Sequence, residues 1–574
     1  MPACFPHSDA DSNPTSSIIN SSTLKGHRRL SLTGLLMLGG LLPFELSAAV
    51  PTDPPANAFG TIDWLVVIAY ALALIGIGVF YSRRQNTTED YFLGGRTVSP
   101  FLAGISLYAT LFSTLSYIGV PGEIIQNGPV LVLVGVLATP LIYLIVGYWV
   151  IPMIMKLPVT SAYELLEKRL GFSVRLLGSG IFLLTKLLWM AVMLYTTSFV
   201  LVTVMGWDAA FATPLAIIAG GLTAVYTVTG GLRAVVVGDV VQFFVLLIGA
   251  IFTLFYITIS MGGVSAWWPT EWVDHWQPQP FFSLDPDVRV TMVGTFIGAI
   301  IWWVCTSASD QLAVQRYLST RNEKTARRAF LHNTLGFISV SVILCLIGLA
   351  VLGFYNANTG AIPSSLSMAT KGDVFFPHYV SHFLPAGLPG LVLAGLLAAA
   401  MSSFSSGINS IITVISTDFI EPFRSGPPPS DKRQIRNARY LAAIVSMAAI
   451  VGSQLAGNIP GNLMEVATKT VNLLICPLFG LFFLALFVKF ATPFGAIMGA
   501  IYSFAAALLV GYWEFLIGGE QISFQWISPI ALIVTLIAGP LFSLLPTRGK
   551  SVKILTGYYT ISILPIIIFV MIAR

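Results

Sequence analysis

Residues 391–418, LVLAGLLAAAMSSFSSGINSIITVISTD, are apolar enough to lie in a membrane, yet they contain a series of polar side chains. At about 100° per residue, these side chains share one side of a helix with Ala399: Ser402, Ser406, Asn409, Ser410 and Thr413. One interpretation is packing, because small residues let helices approach and each hydroxyl can donate to a carbonyl one turn earlier. The other is an ion site, since neutral oxygens bind small hard cations.

The composition places this stretch in a membrane protein. The chain has 574 residues, of which 56% are hydrophobic and 10% charged, whereas soluble domains have about 25% charged residues. Four cysteines without metal spacing and six scattered histidines indicate neither a zinc site nor catalytic machinery. We therefore expect no enzyme, no organic cofactor, no nucleic-acid partner and no obligate protein partner; membrane lipid is an expected partner.

The apolar runs recur along the chain at lengths suited to crossing a bilayer, about 20 residues each. Fourteen helices are predicted, near 62–81, 101–124, 129–155, 175–204, 212–229, 239–260, 291–314, 330–354, 387–416, 438–457, 461–487, 493–515, 524–546 and 553–573. The predicted fold class is therefore an all-α polytopic membrane protein, with residues 60–574 as a single membrane domain.

The N-terminal 50 residues differ in pattern from the apolar runs that follow. Basic residues precede the apolar run 30–46, and small residues follow it, which is typical of a secretory signal peptide. An uncleaved extra helix is the alternative. Either reading places the chain near Pro51, the N-terminal end of this membrane domain, outside the plasma (inner) membrane.

The distribution of Lys and Arg supports this topology. With Pro51 outside, twenty-two basic residues fall in the predicted inner loops, Arg175 and Arg316 among them, whereas the outer loops hold Arg289 and Lys371. This strong positive-inside bias would be lost if one helix had been missed.

Two of the apolar segments are interrupted. In the first, hydroxyl residues precede Gly119, Pro121 and Gly122, and an unwound stretch at 109–113 would expose backbone carbonyls. In the second, polar residues 306–311 follow Trp302 and Trp303. Because the two lie five helices apart, they indicate a five-plus-five inverted repeat, about 101–260 and 291–487, with peripheral helices at 62–81 and 493–573. Two ordinary helices with polar ends are the alternative.

Two lysines lie inside apolar helices, where an unpaired charge costs about 2.5–3.5 kcal/mol. Lys469 has Glu465 one turn earlier, so it is either a local ion pair or a ligand for a solute carboxylate. Lys186 has no local acid, and we expect a structural partner from another helix.

Several ordered motifs between about residues 60 and 515 resemble those of the sodium–solute symporter family, a LeuT-type inverted-repeat fold. They are DYFLGGR at 90–96, YTVTGGLRAVVVGDVVQ at 226–242, QRYLS at 315–319 and the polar helix at 402–418. The resemblance implies a sodium-coupled symporter that imports a small organic solute by alternating access, with Na⁺ as the coupling ion.

The resemblance also implies which residues bind sodium. The family site corresponds to the carbonyls of Ala109, Phe112 and Ala399 and to the hydroxyls of Ser402 and Ser403. Members similar to sialic-acid carriers use a second sodium site, which corresponds here to Asp239, Ser402, Ser405 and Ser406. Gly238 departs from the family's usual Thr at this second site, and Asp239 could instead cap its helix.

The sequence does not identify the solute. Candidate solute-binding residues by position are Ser113, Ser116, Trp189, Trp303, Thr306 and Lys469. Thr306 and Ser307 replace the Tyr-Trp pair of sugar carriers, and Trp189 replaces an Arg of sialic-acid carriers. Residues 121–123 (PGE) and the QRYLS motif at 315–319 look closer to the carriers of monocarboxylates, vitamins and iodide. A sodium/sugar cotransporter, a sodium-independent uniporter or channel, and a membrane sensor are the alternatives.

Overall fold

A computed structural model describes residues 59–572 except 86, 157–158, 365, 428, 457–462 and 548; the side chains at 456–471, 552 and 569–572 lie outside this description. Within the described residues all regular structure is helical. The predicted leader at 1–50 and the side chains of Lys469 and Glu465 lie outside the described part of the chain.

The first half of the described chain contains nine α-helices, three of them short. They are α1 (Thr61–Ser82), α2 (Thr88–Leu93), α3 (Pro100–Leu111), α4 (Thr114–Asn127), α5 (Val130–Ile145), α6 (Ile151–Met155), α7 (Glu164–Leu170), α8 (Phe172–Met205) and α9 (Ala212–Ser260). A π-helical turn, Val146–Val150, joins α5 to α6.

The second half continues with eleven α-helices. They are α10 (Met292–Ser309), α11 (Gln311–Leu318), α12 (Glu323–Ala357), α13 (Gly372–Phe383), α14 (Leu388–Val414), α15 (Asp431–Ala456), α16 (Leu463–Phe487), α17 (Pro493–Gly511), α18 (Trp513–Ile517), α19 (Ile527–Ser543) and α20 (Val552–Ile572). A π-helical turn, Ile415–Ile420, extends α14.

Ten helices of the described residues are long and apolar enough to cross a membrane, and α3 with α4 makes an eleventh if this bent pair is one span. Three of the fourteen predicted spans are missing from this count. Two predicted spans lie on α9, which counts once, although its 49 residues would be about 74 Å long at 1.5 Å per residue and the hydrocarbon core is about 30 Å thick. The other two are the apolar stretches Asn472–Phe487 and Lys553–Ile568, which are shorter than 18 residues. The fourteen crossings and the five-plus-five repeat stay predictions.

Helix α9 breaks at Gly231, which has φ 58° and ψ −164°. L-residues with a side chain rarely adopt this conformation, and a Cβ there would lie 3.0 Å from the Tyr91 ring. Glycine therefore lets the helix kink beside Tyr91, at the inner loop that the sequence predicted between two spans.

Helix α14 lies at the centre of the described helices. Every residue from Ala398 to Val414 is buried, and the helix packs against α1, α3, α8 and α9. Its N-terminus is held by α1, because the buried Asp63 carboxylate accepts hydrogen bonds from the Gly387 and Gly390 backbone amides at 2.9 and 2.7 Å. A carboxylate at this position satisfies free N–H groups and complements the helix dipole.

The two predicted interruptions are present. Helix α3 ends at Leu111, α4 begins at Thr114, and their axes differ by 67°. Helices α10 and α11 are separated by Asp310, whose backbone is extended at φ −84° and ψ 121°. Both breaks face the same region of the molecule, since α11 packs against α3 and α14.

Candidate ion and solute site

The break between α3 and α4 exposes backbone oxygens towards α14. Phe112 is extended, with φ −83° and ψ 137°, and the Ser113 hydroxyl caps α4 by accepting from the Ser116 amide at 3.2 Å. The last carbonyls of α3 therefore lack helical partners, and they carry the negative end of the helix dipole. Such a terminus attracts a cation or a hydroxyl donor.

Ser403 on α14 supplies that donor. Its hydroxyl lies 2.9 Å from the Thr110 carbonyl and 3.1 Å from the Phe112 carbonyl. Ala399 is buried one turn earlier on α14, and Ala109 is buried in the last turn of α3. The structure thus brings the predicted sodium-site residues to one junction, although Ser403 contacts the carbonyl of Thr110 rather than that of Ala109.

The donor set at this junction suits sodium. It consists of neutral carbonyl and hydroxyl oxygens, which a hard monovalent cation accepts as ligands. No cluster of three or more His, Cys, Asp or Glu side chains suited to a metal occurs among the described residues, so a transition-metal centre has no support there.

A second polar cluster surrounds Asp239, which is fully buried on α9. Its carboxylate accepts from the Ser106, Ser402 and Ser406 hydroxyls at 2.6, 2.8 and 3.2 Å. Ser405 has a different partner, because its hydroxyl donates to the Ser402 carbonyl at 3.0 Å. The predicted second-site residues are therefore neighbours, but Ser405 does not contact the carboxylate.

Arg316 completes this cluster and corrects the sequence analysis. The sequence assigned Arg316 to an inner loop, whereas it lies on α11 with none of its surface exposed. Its guanidinium is 3.3 Å from the Asp239 carboxylate and also contacts the Ser406 hydroxyl. A buried carboxylate needs such a partner, but the two residues lie 77 positions apart, so no local pattern could show the pairing.

Beside the α3–α4 break lies a cavity of about 420 Å³. Five of the six predicted solute-binding residues line it: Ser113, Ser116, Trp189, Trp303 and Thr306. The cavity extends along α10 to Thr295 and Gln525, towards the predicted outer side. Phe112 belongs to both features, because its side chain lines the cavity and its carbonyl accepts from Ser403.

Lys186 also lines this cavity, which the sequence did not anticipate. Its ammonium forms an ion pair with Asp310 at 2.5 Å, so the expected partner from another helix is present. Asp310 occupies the break between α10 and α11 and caps α11 by accepting from the Leu312 amide at 2.9 Å. The sequence indicated the interrupted segment at Asp310. It did not indicate which side of α8 faces that segment.

Comparison with known proteins identifies the arrangement. The sequence model described as "Sodium:solute symporter family" matches residues 91–503. The chain belongs to this family.

Two similar proteins and one solved structure illustrate the range of relatives. The sodium/sialic acid symporter SiaT of Proteus mirabilis (strain HI4320) is 30% identical, with 84% of this chain and 96% of that protein covered. The sodium-dependent multivitamin transporter of Oryctolagus cuniculus is 29% identical, with 82% and 73% covered. A sodium-coupled sialic acid symporter, solved in a substrate-bound outward-open state, has a TM-score of 0.72 and 27% identity, covering 84% and 98%.

The resemblance noted in the motifs is thereby confirmed. As a sodium:solute symporter, the protein is a multi-pass membrane transporter that couples the movement of a small organic solute to sodium ions. The relatives act on different solutes, so family membership leaves the solute of this symporter open.

This symporter has another buried ion pair, near the predicted inner end of α14. The Asp418 carboxylate is 2.6 Å from the Arg175 guanidinium and accepts from the Ser161 and Ser179 hydroxyls, both at 2.7 Å. Arg175 also pairs with Glu167 at 2.5 Å. The sequence had assigned Arg175 to a loop; the structure instead uses it to join α7 and α8 to the end of α14.

Proposed function

We propose that this protein imports a small organic solute across the plasma membrane by alternating access, with the N-terminal end of its transporter domain outside. The observation that carries the proposal is the position of Phe112, which lines the cavity while its carbonyl contacts Ser403. An ion bound at this carbonyl would act directly on the wall of the solute site.

The proposed sodium ligands are the carbonyls of Ala109, Phe112 and Ala399 and the hydroxyls of Ser402 and Ser403. The Thr110 carbonyl joins them, because Ser403 lies 2.9 Å from it. When sodium enters, the Ser403 proton turns away from these carbonyls and its oxygen lone pairs face the ion. The ion then takes over the link between the broken helix and α14.

Coupling follows from this link. Without sodium, one shared hydroxyl proton joins α14 to the unwound segment; with sodium, several oxygens are held together and the solute site at Ser113 and Ser116 is fixed. Solute binding then completes the state in which one group of helices tilts against the other. The membrane potential supplies about 2.3 kcal/mol per 100 mV for each charge carried, before any concentration gradient is added.

The proposed second sodium site, at Asp239, Ser402, Ser405 and Ser406, can bind an ion only if Arg316 changes position. Arg316 now neutralises the Asp239 carboxylate, and two positive charges beside one carboxylate repel each other. A second sodium therefore requires Arg316 to move away. The Hill coefficient of sodium-dependent uptake tests this, since a value near one means that Arg316 stays in place.

The proposed solute contacts are Ser113, Ser116, Trp189, Trp303 and Thr306, all on the cavity wall. Lys469 is retained as a candidate from the sequence. The cavity volume of about 420 Å³ falls in the range of drug-sized ligand sites, about 300–1,000 Å³. A small organic solute fits that space.

Transport in proteoliposomes tests the proposal. Purified full-length protein is reconstituted, and uptake from a panel of labelled sugars, amino acids and carboxylates is measured with an inward sodium gradient, with potassium in its place, and with sodium plus an ionophore. Accumulation above the external concentration in the first condition alone is expected. Equal uptake in all three conditions would instead favour the sodium-independent uniporter.

A further inference from the structure

The Lys186–Asp310 ion pair is a charged feature of an otherwise largely apolar cavity wall. The side chains are 11% and 8% exposed, and both residues line the cavity. Charged residues at membrane depth are expected to pair or to serve a ligand. The two members of this pair differ in how many of their bonds the protein already uses.

Lys186 has capacity to spare. Its ammonium carries three N–H donors, and within the described part of the chain its one bonded partner is Asp310, at 2.5 Å. Both carboxylate oxygens of Asp310 already accept one bond, one from Lys186 and the other from the Leu312 amide. Lys186 therefore offers a ligand two free N–H donors.

Thr306 adds an independent indication of a ligand. Its hydroxyl oxygen is buried without a hydrogen-bond partner among the described residues, and Thr306 lines the same cavity one turn before Asp310. Buried hydroxyls are nearly always hydrogen-bonded. A polar atom of the solute would satisfy this hydroxyl.

The rest of the wall indicates what else the solute carries. Phe112, Trp189, Trp302 and Trp303 contribute aromatic surface to the cavity. Such surface favours an apolar body, whereas a sugar would need a polar partner for each of its hydroxyls.

We propose that the solute is a monocarboxylate with an apolar body. Its carboxylate binds the free N–H groups of Lys186 and the hydroxyl of Thr306, and its body packs against Trp189 and Trp303. This inference rests on the proposed function.

Charge balance then explains why such a solute would require sodium. The Lys186–Asp310 pair is neutral, so a bound carboxylate leaves one uncompensated negative charge in the membrane. A sodium ion at the Phe112 carbonyl restores neutrality on the other side of the same residue. Each ligand should therefore raise the affinity for the other by the same factor, as linkage requires.

Matched acid and amide probes test the carboxylate. Full-length protein in detergent is melted in sodium chloride and in potassium chloride with propionate, butyrate, benzoate, phenylacetate and nicotinate, and with the amide of each acid. Glucose and phenylalanine serve as the sugar and the zwitterion. At least one acid should raise the melting temperature in sodium, while its amide and the same acid in potassium should not.

Variants assign the effect to the pair. Because Lys186→Gln alone leaves Asp310 buried without a cation, the Lys186→Gln/Asp310→Asn double variant is measured beside it. The double variant should weaken acid binding about ten- to a hundredfold, the cost of one charge-assisted hydrogen bond, and Lys186→Arg should recover part of it. Thr306→Val should weaken acid binding about tenfold. Thr196→Val is its control, since the Thr196 hydroxyl already donates to the Val192 carbonyl at 2.8 Å.

The possible results separate the inference from the function on which it rests. If every amide protects as well as its acid, if glucose or phenylalanine protects and no acid does, or if no probe shifts the melting temperature while sodium alone does, the carboxylate is overturned and sodium coupling stands. If the double variant binds the acid with unchanged affinity, Lys186 is not its ligand. Protection that is equal in sodium and potassium would contradict the proposed function itself.

Discussion

Replacing Ser403 by alanine removes the hydroxyl that joins α14 to the broken helix. That hydroxyl shares one proton between the Thr110 and Phe112 carbonyls, at 2.9 and 3.1 Å. One net hydrogen bond is worth about 1 kcal/mol, so Ser403→Ala should lower the stability of the sodium-free protein by about that amount. Folding should survive.

The effect on sodium is separate from the effect on folding. A hydroxyl oxygen that faces an ion contributes about as much as a hydrogen bond to a charged group, about 1.5–3 kcal/mol. After the bond of about 1 kcal/mol that is lost without sodium is subtracted, the sodium affinity should fall by about 0.5–2 kcal/mol. The sodium concentration for half-maximal uptake should rise about 2- to 30-fold.

The assay is the initial rate of solute uptake into proteoliposomes as a function of external sodium, with thermal unfolding measured on the same preparation. Ser198→Ala is the matched control, because Ser198 is equally buried and its hydroxyl donates to the Leu194 carbonyl of its own helix at 2.8 Å. The control should lose a similar amount of stability and keep its sodium dependence. An unchanged sodium requirement in active Ser403→Ala would show that the hydroxyl serves packing alone.

Three further substitutions test the surrounding structure. Arg316→Met leaves the buried Asp239 carboxylate without its cation and should cost about 3–5 kcal/mol in sodium-free buffer; an Asp239→Asn/Arg316→Met double variant that melts no higher than the single one would contradict this. Gly231→Ala introduces a side chain at φ 58° and should cost at least about 1–3 kcal/mol, measured as loss of monodisperse protein on heating, whereas wild-type behaviour would show that the break relaxes. Asp418→Asn should cost about 3 kcal/mol, which is at the low end for a broken buried pair because Arg175 keeps a second carboxylate. A melting temperature within about 1 °C of wild type would refute this expectation.

The positions of the helices could be predicted because they depend on local composition. A helix lies at each of the fourteen apolar segments, and both breaks occur where hydroxyl and other polar residues were concentrated. Gly119, Pro121 and Gly122 lie inside α4 and not at the break. The hydroxyl face of α14 also followed from helical periodicity, since Ser402 and Ser406 both contact Asp239.

The pairing of charges could not be predicted because it depends on which helices become neighbours. Arg316 was assigned to a loop, although its guanidinium contacts Asp239 on α9, the Ser106 hydroxyl on α3 and the Ser406 hydroxyl on α14. Lys186 was correctly expected to have a partner on another helix. Its position in the cavity wall required the orientation of α8, which a single sequence does not show.

The contact between Asp63 and the first turn of α14 has a consequence for the transport cycle. Helix α1 precedes the predicted repeats, yet its buried carboxylate holds two amides at the start of α14. We expect the two helices to move as one body, so that spin labels placed on them would keep the same separation whether the protein opens outward or inward. The peripheral helix would then serve as a fixed reference from which the displacement of every other segment can be measured.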